Sequence, residues 1–397
     1  MEQPIFRTQP KVVVIALAVG ALALFMTLLT PYPAGAAGLN GDEAYTEGPQ
    51  VCGECHQEAY DDWLAHGHSR KLGSAPAISA LNGKFGLTVD AKNGGFPLPR
   101  HDKDVYNWDN VLFIVGASKH WKTRFVGLDG NVLTKNGANQ YNWQNASWSN
   151  YHKDEVKPFS CGTCHTTGYR KEGKVFNESG FPGVSDAGIP GIVGDFAHFN
   201  ITCEACHGPG AKHASAETPT KNDIVVDNTK ELCGTCHTRG SDPGTVIAKG
   251  GFIRHHEQYP EILGGSHKDL TCGICHQPHV SRAQSMKVAP GNTEVCETCH
   301  VLQKQEYQGS AMQKAKVRCQ DCHMAKATKS AIAAGPYEGD VWTHIFRIDS
   351  SVDYTMFTED GKAAKDAISL EFACFRCHSG ADKEAYSKIE NYHTIGK

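Results

Sequence analysis

The sequence predicts a fold of mainly short α-helices and loops wrapped around a non-protein core, with one small β module placed before the second of several repeated sites. Three observations predict it. The pattern Cys-x-x-Cys-His is written eight times. With a leader set aside, only about 45 residues remain for each copy, too few for a large conventional core. The long interval between the first and second copies gathers strand-like apolar runs and four of the six tryptophans.

The repeated pattern states its own chemistry. Two thiols three residues apart on one helical turn share a face, with the histidine beside them. That is the attachment site of a c-type haem: the thiols form thioethers to the vinyl groups and the imidazole becomes the proximal iron ligand. The pairs are Cys52 and Cys55, Cys161 and Cys164, Cys203 and Cys206, Cys233 and Cys236, Cys272 and Cys275, Cys296 and Cys299, Cys319 and Cys322, Cys374 and Cys377. The histidines that close them are His56, His165, His207, His237, His276, His300, His323 and His378. All sixteen cysteines are used, so none remains for a disulfide. Eight such histidines would follow by chance with odds on the order of 1 in 10¹⁰. Zinc ribbons made from paired Cys-x-x-Cys units would leave those histidines unexplained. The expected cofactor load is eight covalently bound haem c groups, and the fold class is that of a multihaem cytochrome c.

In chain order, residues 1–36 read as a signal peptide or N-terminal anchor. Arg7 and Lys11 precede the apolar run Val12 to Leu29, Pro31 and Pro33 end it, and Ala34-Gly35-Ala36 resembles a cleavage site. A retained anchor is the alternative, because the run is nearly long enough to span a bilayer. Either way the haem region is exported, to the periplasm or the cell exterior. Residues 37–83 form the first haem segment, in which a helix carries His68 back towards a haem. Residues 84–160 are the small β-containing module, with strands at 111–115 and 121–126 and a hairpin turn at Leu128-Asp129-Gly130-Asn131. Its Trp108, Trp121, Trp143 and Trp148 serve packing, or lie between haems. Residues 161–210 hold haems two and three, 211–330 haems four to seven, and 331–397 the eighth. A helix is expected from His300 to Lys316, a polar connector at 326–340, and a helical tail from Asp382 to Tyr392.

Each iron needs a sixth ligand or an open face. Thirteen histidines remain beyond the proximal eight. The first candidates for distal ligands are His68, His213, His256, His267, His279 and His344, and His120, His152, His198 and His393 compete for the remaining places. His66, His101 and His255 read as surface or supporting residues. Met312, where a distal histidine would fit, is a thioether alternative or a packing residue. Two imidazoles on one iron make it low-spin and low in potential, and they block substrate access.

The formal charge is −4. Haem propionates carry the loaded protein to about −13 oxidised and about −21 reduced. That excludes nucleic acid as a partner. It favours redox partner proteins with cationic docking patches, or extracellular electron acceptors such as a mineral surface. A membrane is involved only if the N-terminal segment is retained.

Cys52-Gly-Glu-Cys-His56 followed by Trp63 and His68, together with Cys203-Glu-Ala-Cys-His-Gly-Pro-Gly and His213, resembles the multihaem cytochrome superfamily that contains hydroxylamine oxidoreductase and the tetrahaem cytochrome of ammonia oxidisers. Phe113-Ile-Val-Gly, Trp121-Lys-Thr-Arg-Phe125 and Cys161-Gly-Thr-Cys-His-Thr-Thr-Gly-Tyr169 are similar to the extracellular filament-forming cytochromes, the cytochrome nanowires. That resemblance implies stacked haems and self-assembly into a filament, with a terminal histidine such as His393 ligating a haem of the next subunit. Electron transfer along mostly bis-histidine haems is the expected function. The alternative is an octahaem oxidoreductase acting on nitrite, hydroxylamine or a sulfur oxyanion at one open-site haem. In relatives of that kind lysine commonly replaces the motif histidine at the catalytic haem, and no Cys-x-x-Cys-Lys occurs here.

Overall fold

Val111–Val115 (β3) is a run of five apolar residues, and all five are buried. A strand of that kind needs cover on both faces. Phe113 and Val115 pack with Leu72, Val126, Phe159 and Phe199, while Val111 and Ile114 pack with Phe96 and Phe125. The computed structural model describes residues 44–75, 89–90, 94–99, 106–172, 189–280 and 294–397. The expected leader and His101 lie outside them.

β3 is the spine of a six-stranded sheet. Its other strands are Leu72–Ser74 (β1), Val89–Asp90 (β2), Lys122–Gly127 (β4), Gln140–Asn142 (β5) and Ser147–Ser149 (β6), in the order β2-β1-β3-β4-β5-β6. Every pair is antiparallel except β1 with β2. After β4 the chain turns at Gly130, whose φ is +79°. Gly191 packs so closely here that a Cβ on it would stand 2.5 Å from the Gly130 carbonyl carbon. Glycine at both positions lets the two backbones meet. Three of the four tryptophans, Trp108, Trp143 and Trp148, pack against the cluster around Phe96 and Phe125.

Thr166–Thr167 (β7) pairs with His198–Phe199 (β8) directly after the second motif. A second sheet forms from Val246–Lys249 (β9), Phe252–Arg254 (β10), Thr328–Gly335 (β11), Glu338–Val341 (β12) and, beyond Ile348–Asp349 (β13), Ala363–Ala364 (β14), in the order β12-β11-β10-β9-β14. β13 pairs with Ile368–Ser369 (β15) in a separate parallel ribbon. Phe252, Ile253, Ile345, Met356, Ile368 and Phe372 fill the core of this half. The structure thus holds more sheet than an expectation of mainly helices and loops allows. The stretch 326–340 reads as a polar connector because only the start of β11 alternates buried and half-buried residues. What closes the hairpin is the Asp340 carboxylate, which accepts hydrogen bonds from the backbone N–H groups of Ser330, Ala331 and Ile332.

Helices are short; the longest among the described residues, Gln57–Ala65, has nine. No described helix is long and apolar enough to cross a membrane. The stretch expected as one helix from His300 to Lys316 is two, Val301–Tyr307 and Ala311–Lys314. Gly309 breaks it with a φ of +78°, and the Ser310 hydroxyl caps the second piece by accepting from Gln313 N–H.

The segment before the first motif is tied down by a buried carboxylate. Glu204 accepts hydrogen bonds from Thr46 N–H and hydroxyl and from Gly210 N–H, and its Oε2 lies 2.8 Å from His198 Nε2. Burial opposes ionisation, but the bonds from His198, Thr46 and Gly210 outweigh it and hold the carboxyl below its usual range. Replacing Glu204 by Ala leaves those donors buried without an acceptor and is expected to cost about 3–5 kcal/mol, measured as a lowered denaturant midpoint. The contribution is present above about pH 4.5, the ordinary value, and is lost as the pH falls through the depressed one.

Candidate cofactor-binding cavity

Each motif folds locally for the reason its spacing suggests. The histidine N–H donates back to the carbonyl of the first cysteine, as in His56 to Cys52 at 2.8 Å and His207 to Cys203 at 2.9 Å. Both thiols and the imidazole therefore sit on one turn. Seven of the eight motifs line one continuous cavity of about 1860 Å³ that runs through the molecule; Cys161, Cys164 and His165 lie outside it. Among the described residues no three His, Cys, Asp or Glu side chains converge as zinc ligands would.

Two imidazoles on one metal place their nitrogens about 4 Å apart, at about 2.0–2.1 Å each, and their ring centres roughly 6 Å apart. Six motif histidines meet that condition. His56 faces His213 at 6.3 Å, His207 faces His279 at 6.1 Å, and His237 faces His256 at 6.0 Å. His267 stands 5.9 Å from His300, His344 stands 6.2 Å from His276, and His393 stands 6.0 Å from His323. Several of these rings are oriented through Nδ1, which leaves Nε2 directed at the partner. His323 Nδ1 lies 2.8 Å from the Phe346 carbonyl, His213 Nδ1 3.2 Å from the Thr220 carbonyl, and His237 Nδ1 3.2 Å from Gln258 Oε1. Such outer contacts fix the tautomer of a metal-binding imidazole. Burial, ahead of any neighbouring charge, pushes His165 and His237 down to about 4, so both rings are neutral at pH 7, the form that binds iron. Val226, Leu270 and Ile274, large apolar side chains that stand exposed on the protein, turn to the cavity. A porphyrin needs apolar walls of this kind. The donor set and the walls both fit haem.

The motifs also touch one another, and the contacts put them in order. The Cys52 and Cys203 side chains lie against each other, as do those of Cys233 and Cys272 and of Cys296 and Cys319. Cys206 lies within electrostatic reach of Cys236, Cys275 of Cys296, and Cys322 of Cys377. Arg376, beside Cys377, bonds Asp321 of the seventh motif at 3.2 Å. The series runs first, third, fourth, fifth, sixth, seventh, eighth. The second motif joins from the side: Cys164 Sγ lies 3.9 Å from the Cys236 carbonyl oxygen, and Cys236 Sγ lies 3.3 Å from the Thr163 carbonyl.

The remaining candidates are placed otherwise. His152 bonds Glu155 at 2.7 Å in an exposed turn, and His198 is spoken for by Glu204. Neither faces a motif histidine. His120 packs on Trp121 with ring centres 4.6 Å apart, on the sheet side. His68 is half-buried and lines the cavity, but its ring lies against His66 at 4.4 Å, too close for an iron between them. His393 faces His323 within one chain, as a distal ligand of the same chain would. Met312 lines the cavity, yet the rings opposite its neighbours His300 and His323 are imidazoles. His165 and His378 have no facing imidazole among the described residues. Tyr386 stands 5.5 Å from His378, nearer than a phenolate across an iron would place its ring.

Sequence reasoning left His66 as a surface or supporting residue and missed that it is buried, where its Nδ1 accepts from the His68 N–H at 3.0 Å. It also missed Phe346, whose φ of +65° is unusual for a bulky residue. That turn aims the Phe346 carbonyl at His323 while the ring packs on His267 at 4.5 Å and His344 at 6.0 Å. No local signal marks Phe346, because His323 and His267 are far from it along the chain.

A segment of 176 residues is 28% identical to the multihaem cytochrome MtrA of Shewanella baltica (strain OS185), covering 41% of this chain and 44% of that protein. The chain therefore spans less than half the length of the curated relative it matches. The structure is similar to that of the outer cell wall cytochrome OcwA, with a TM-score of 0.53 at 18% identity over 86% of this chain and 85% of that one. It is also similar to the octahaem sulfite reductase MccA of Wolinella succinogenes, with a TM-score of 0.54 at 15% identity over 92% and 71%. No protein-family profile matches the chain. At such identities the structural likeness is one of fold.

Acid should act through the buried imidazoles. With folded values near 4 against an ordinary 6.5, His165 and His237 bind fewer protons folded than unfolded across that window. In the haem-free chain stability is complete above about pH 6.5 and falls as the pH is lowered towards 4; circular dichroism across an acid titration of the haem-free protein checks this. Of the contested histidines, His393→Ala is expected to convert one low-spin centre to high spin in electron paramagnetic resonance, and His152→Ala to leave the spectrum unchanged.

Proposed function

We propose that this chain, a multihaem c-type cytochrome by fold and by motif, binds eight haems covalently and conducts electrons along them outside the cytoplasm. The observation that carries the reading is the series of facing imidazole pairs, six of them, strung through one cavity in an order fixed by contacts between motifs. Haem supplies the one-electron carrier; the protein supplies both axial nitrogens and apolar walls. A pair of strong-field imidazoles closes both faces of an iron, so the centre exchanges electrons without binding substrate. Electrons would enter and leave at the ends of the series, near the first and eighth motifs, from redox partner proteins or to an extracellular acceptor. Assembly into a longer filament would join such ends.

A second reading has its own observation. His165 and His378 face no imidazole among the described residues, so either could hold an iron with an accessible face. An oxidoreductase acting on sulfite, nitrite or hydroxylamine needs one such face and acid–base groups beside it. One relative in fold is named a sulfite reductase, so sulfite is the first substrate to try.

Intact-mass measurement of the secreted protein is expected to show eight covalent haem additions. Reduced protein should pass electrons to ferric citrate in several resolved steps. Turnover of sulfite, nitrite or hydroxylamine, with a high-spin signal that each perturbs, would replace conduction by the enzymatic reading.

A further inference from the structure

Five cations gather where the two sheets approach the second motif, and none of them makes an ion pair among the described residues. Lys122 and Arg124 alternate on the half-buried face of β4, while Thr123 and Phe125 point the other way into the core. Arg254 stands opposite Lys329 in the β10–β11 register. Arg239, two residues beyond His237, reaches His255 Nε2 at 3.4 Å, and His255 packs on His256 at 4.6 Å. Arg124 spends one donor on Gln140 at 2.8 Å and lies over the Tyr151 ring at 3.9 Å. Neither contact neutralises charge. Burial first, then Arg124, Arg239 and Lys329, push Lys122 down to about 8 against a raising influence from Asp340. The cations therefore feel one another.

Near the seventh and eighth motifs cations are matched. Arg318 and Arg376 share Asp321 at 3.0 and 3.2 Å, and Lys326 bonds Glu338 at 3.3 Å. A half-buried group of like charges is costly unless an anion completes it. Asp340 is engaged with three backbone N–H groups of β11. The second motif is one cofactor site within reach of this charge: Arg124 and Arg239 act electrostatically on both Cys161 and His165. A porphyrin stitched to Cys161 and Cys164 brings two carboxylates of its own.

We infer that the cluster of Lys122, Arg124, Arg239, Arg254 and Lys329 is a carboxylate-binding cradle for the propionates of the haem at the second motif, and that it holds this haem at a higher potential than those of the main series. The inference rests on the proposed haem attachment. Reduction adds one electron to a centre ringed by positive charge, so nearby cations favour the reduced form. The second motif meets the series at the fourth, through Cys164 and Cys236. A higher potential there makes it a side reservoir that fills first and drains last.

The test is a spectroelectrochemical titration of the full-length haem-loaded protein with Arg124→Gln, and with Arg254→Gln on the other sheet as a second variant. Intact mass first establishes that every haem is retained; a wild-type protein lacking the additions would sink the haem reading itself. The expected result is that the highest-potential step falls by about tenfold in its reduction equilibrium, ~59 mV for one electron, in at least one variant, while the other steps stay in place. Unchanged steps in both fully loaded variants would overturn the inference. So would a shift of that step in the wild type on adding phosphate or sulfite, because a solution anion would then be the occupant.

Discussion

A ring-centre separation of about 6 Å between two imidazoles is the constraint around which the rest of this structure is arranged. It suits one metal ion between two nitrogens and little else. Each facing pair joins a motif histidine to a residue from another part of the chain: His56 to His213, His207 to His279, His276 to His344, His323 to His393. The pairs thus bring distant parts of the chain together at a spacing that fits one metal ion between the two rings. That explains how a chain with such short helices holds a defined shape. Its conventional apolar clusters are confined to the two sheets.

The sheets serve as abutments for that arrangement. The first, built on β3, supplies Trp121 at the cavity wall and sets Lys122 and Arg124 beside the second motif. The second supplies His255 and His256 just beyond β10, and on the short helix that follows, Gln258–Leu263, the buried Glu261 accepts from the His344 N–H. Phe346 shows how tightly the parts are coupled. One residue in an uncommon backbone conformation bonds one motif histidine through its carbonyl and packs its ring on two of the facing ones. Strain at such a site is held only when its surroundings over-determine it.

The series of motif contacts gives the molecule a direction. It has two ends and one side branch, and the branch is where the matched charge found near the seventh and eighth motifs is missing. Conduction along the series and a tuned centre beside it need not compete. In the haem-free chain the same neutral imidazoles would make the fold sensitive to acid, because protonating them is favoured in the unfolded chain.

The sequence alone determined the attachment chemistry. Eight copies of a five-residue pattern, each one helical turn long, need no distant partner to be read. It also determined β3 and β4, whose apolar runs are continuous enough to signal burial, and it held the right pool of facing histidines. It could not determine which of them face a motif. His213 and His279 fall close after motifs, yet each faces the histidine of a different motif, and His393 reaches back across the chain to His323. Spacing along the chain says nothing about such pairings. The β11–β12 hairpin was hidden for the same reason, since one carboxylate, Asp340, closes it rather than an alternating pattern. Tertiary structure decided the order of the motifs, the side position of the second, and the fates of His152 and His198, because each depends on contacts between residues that only folding brings together.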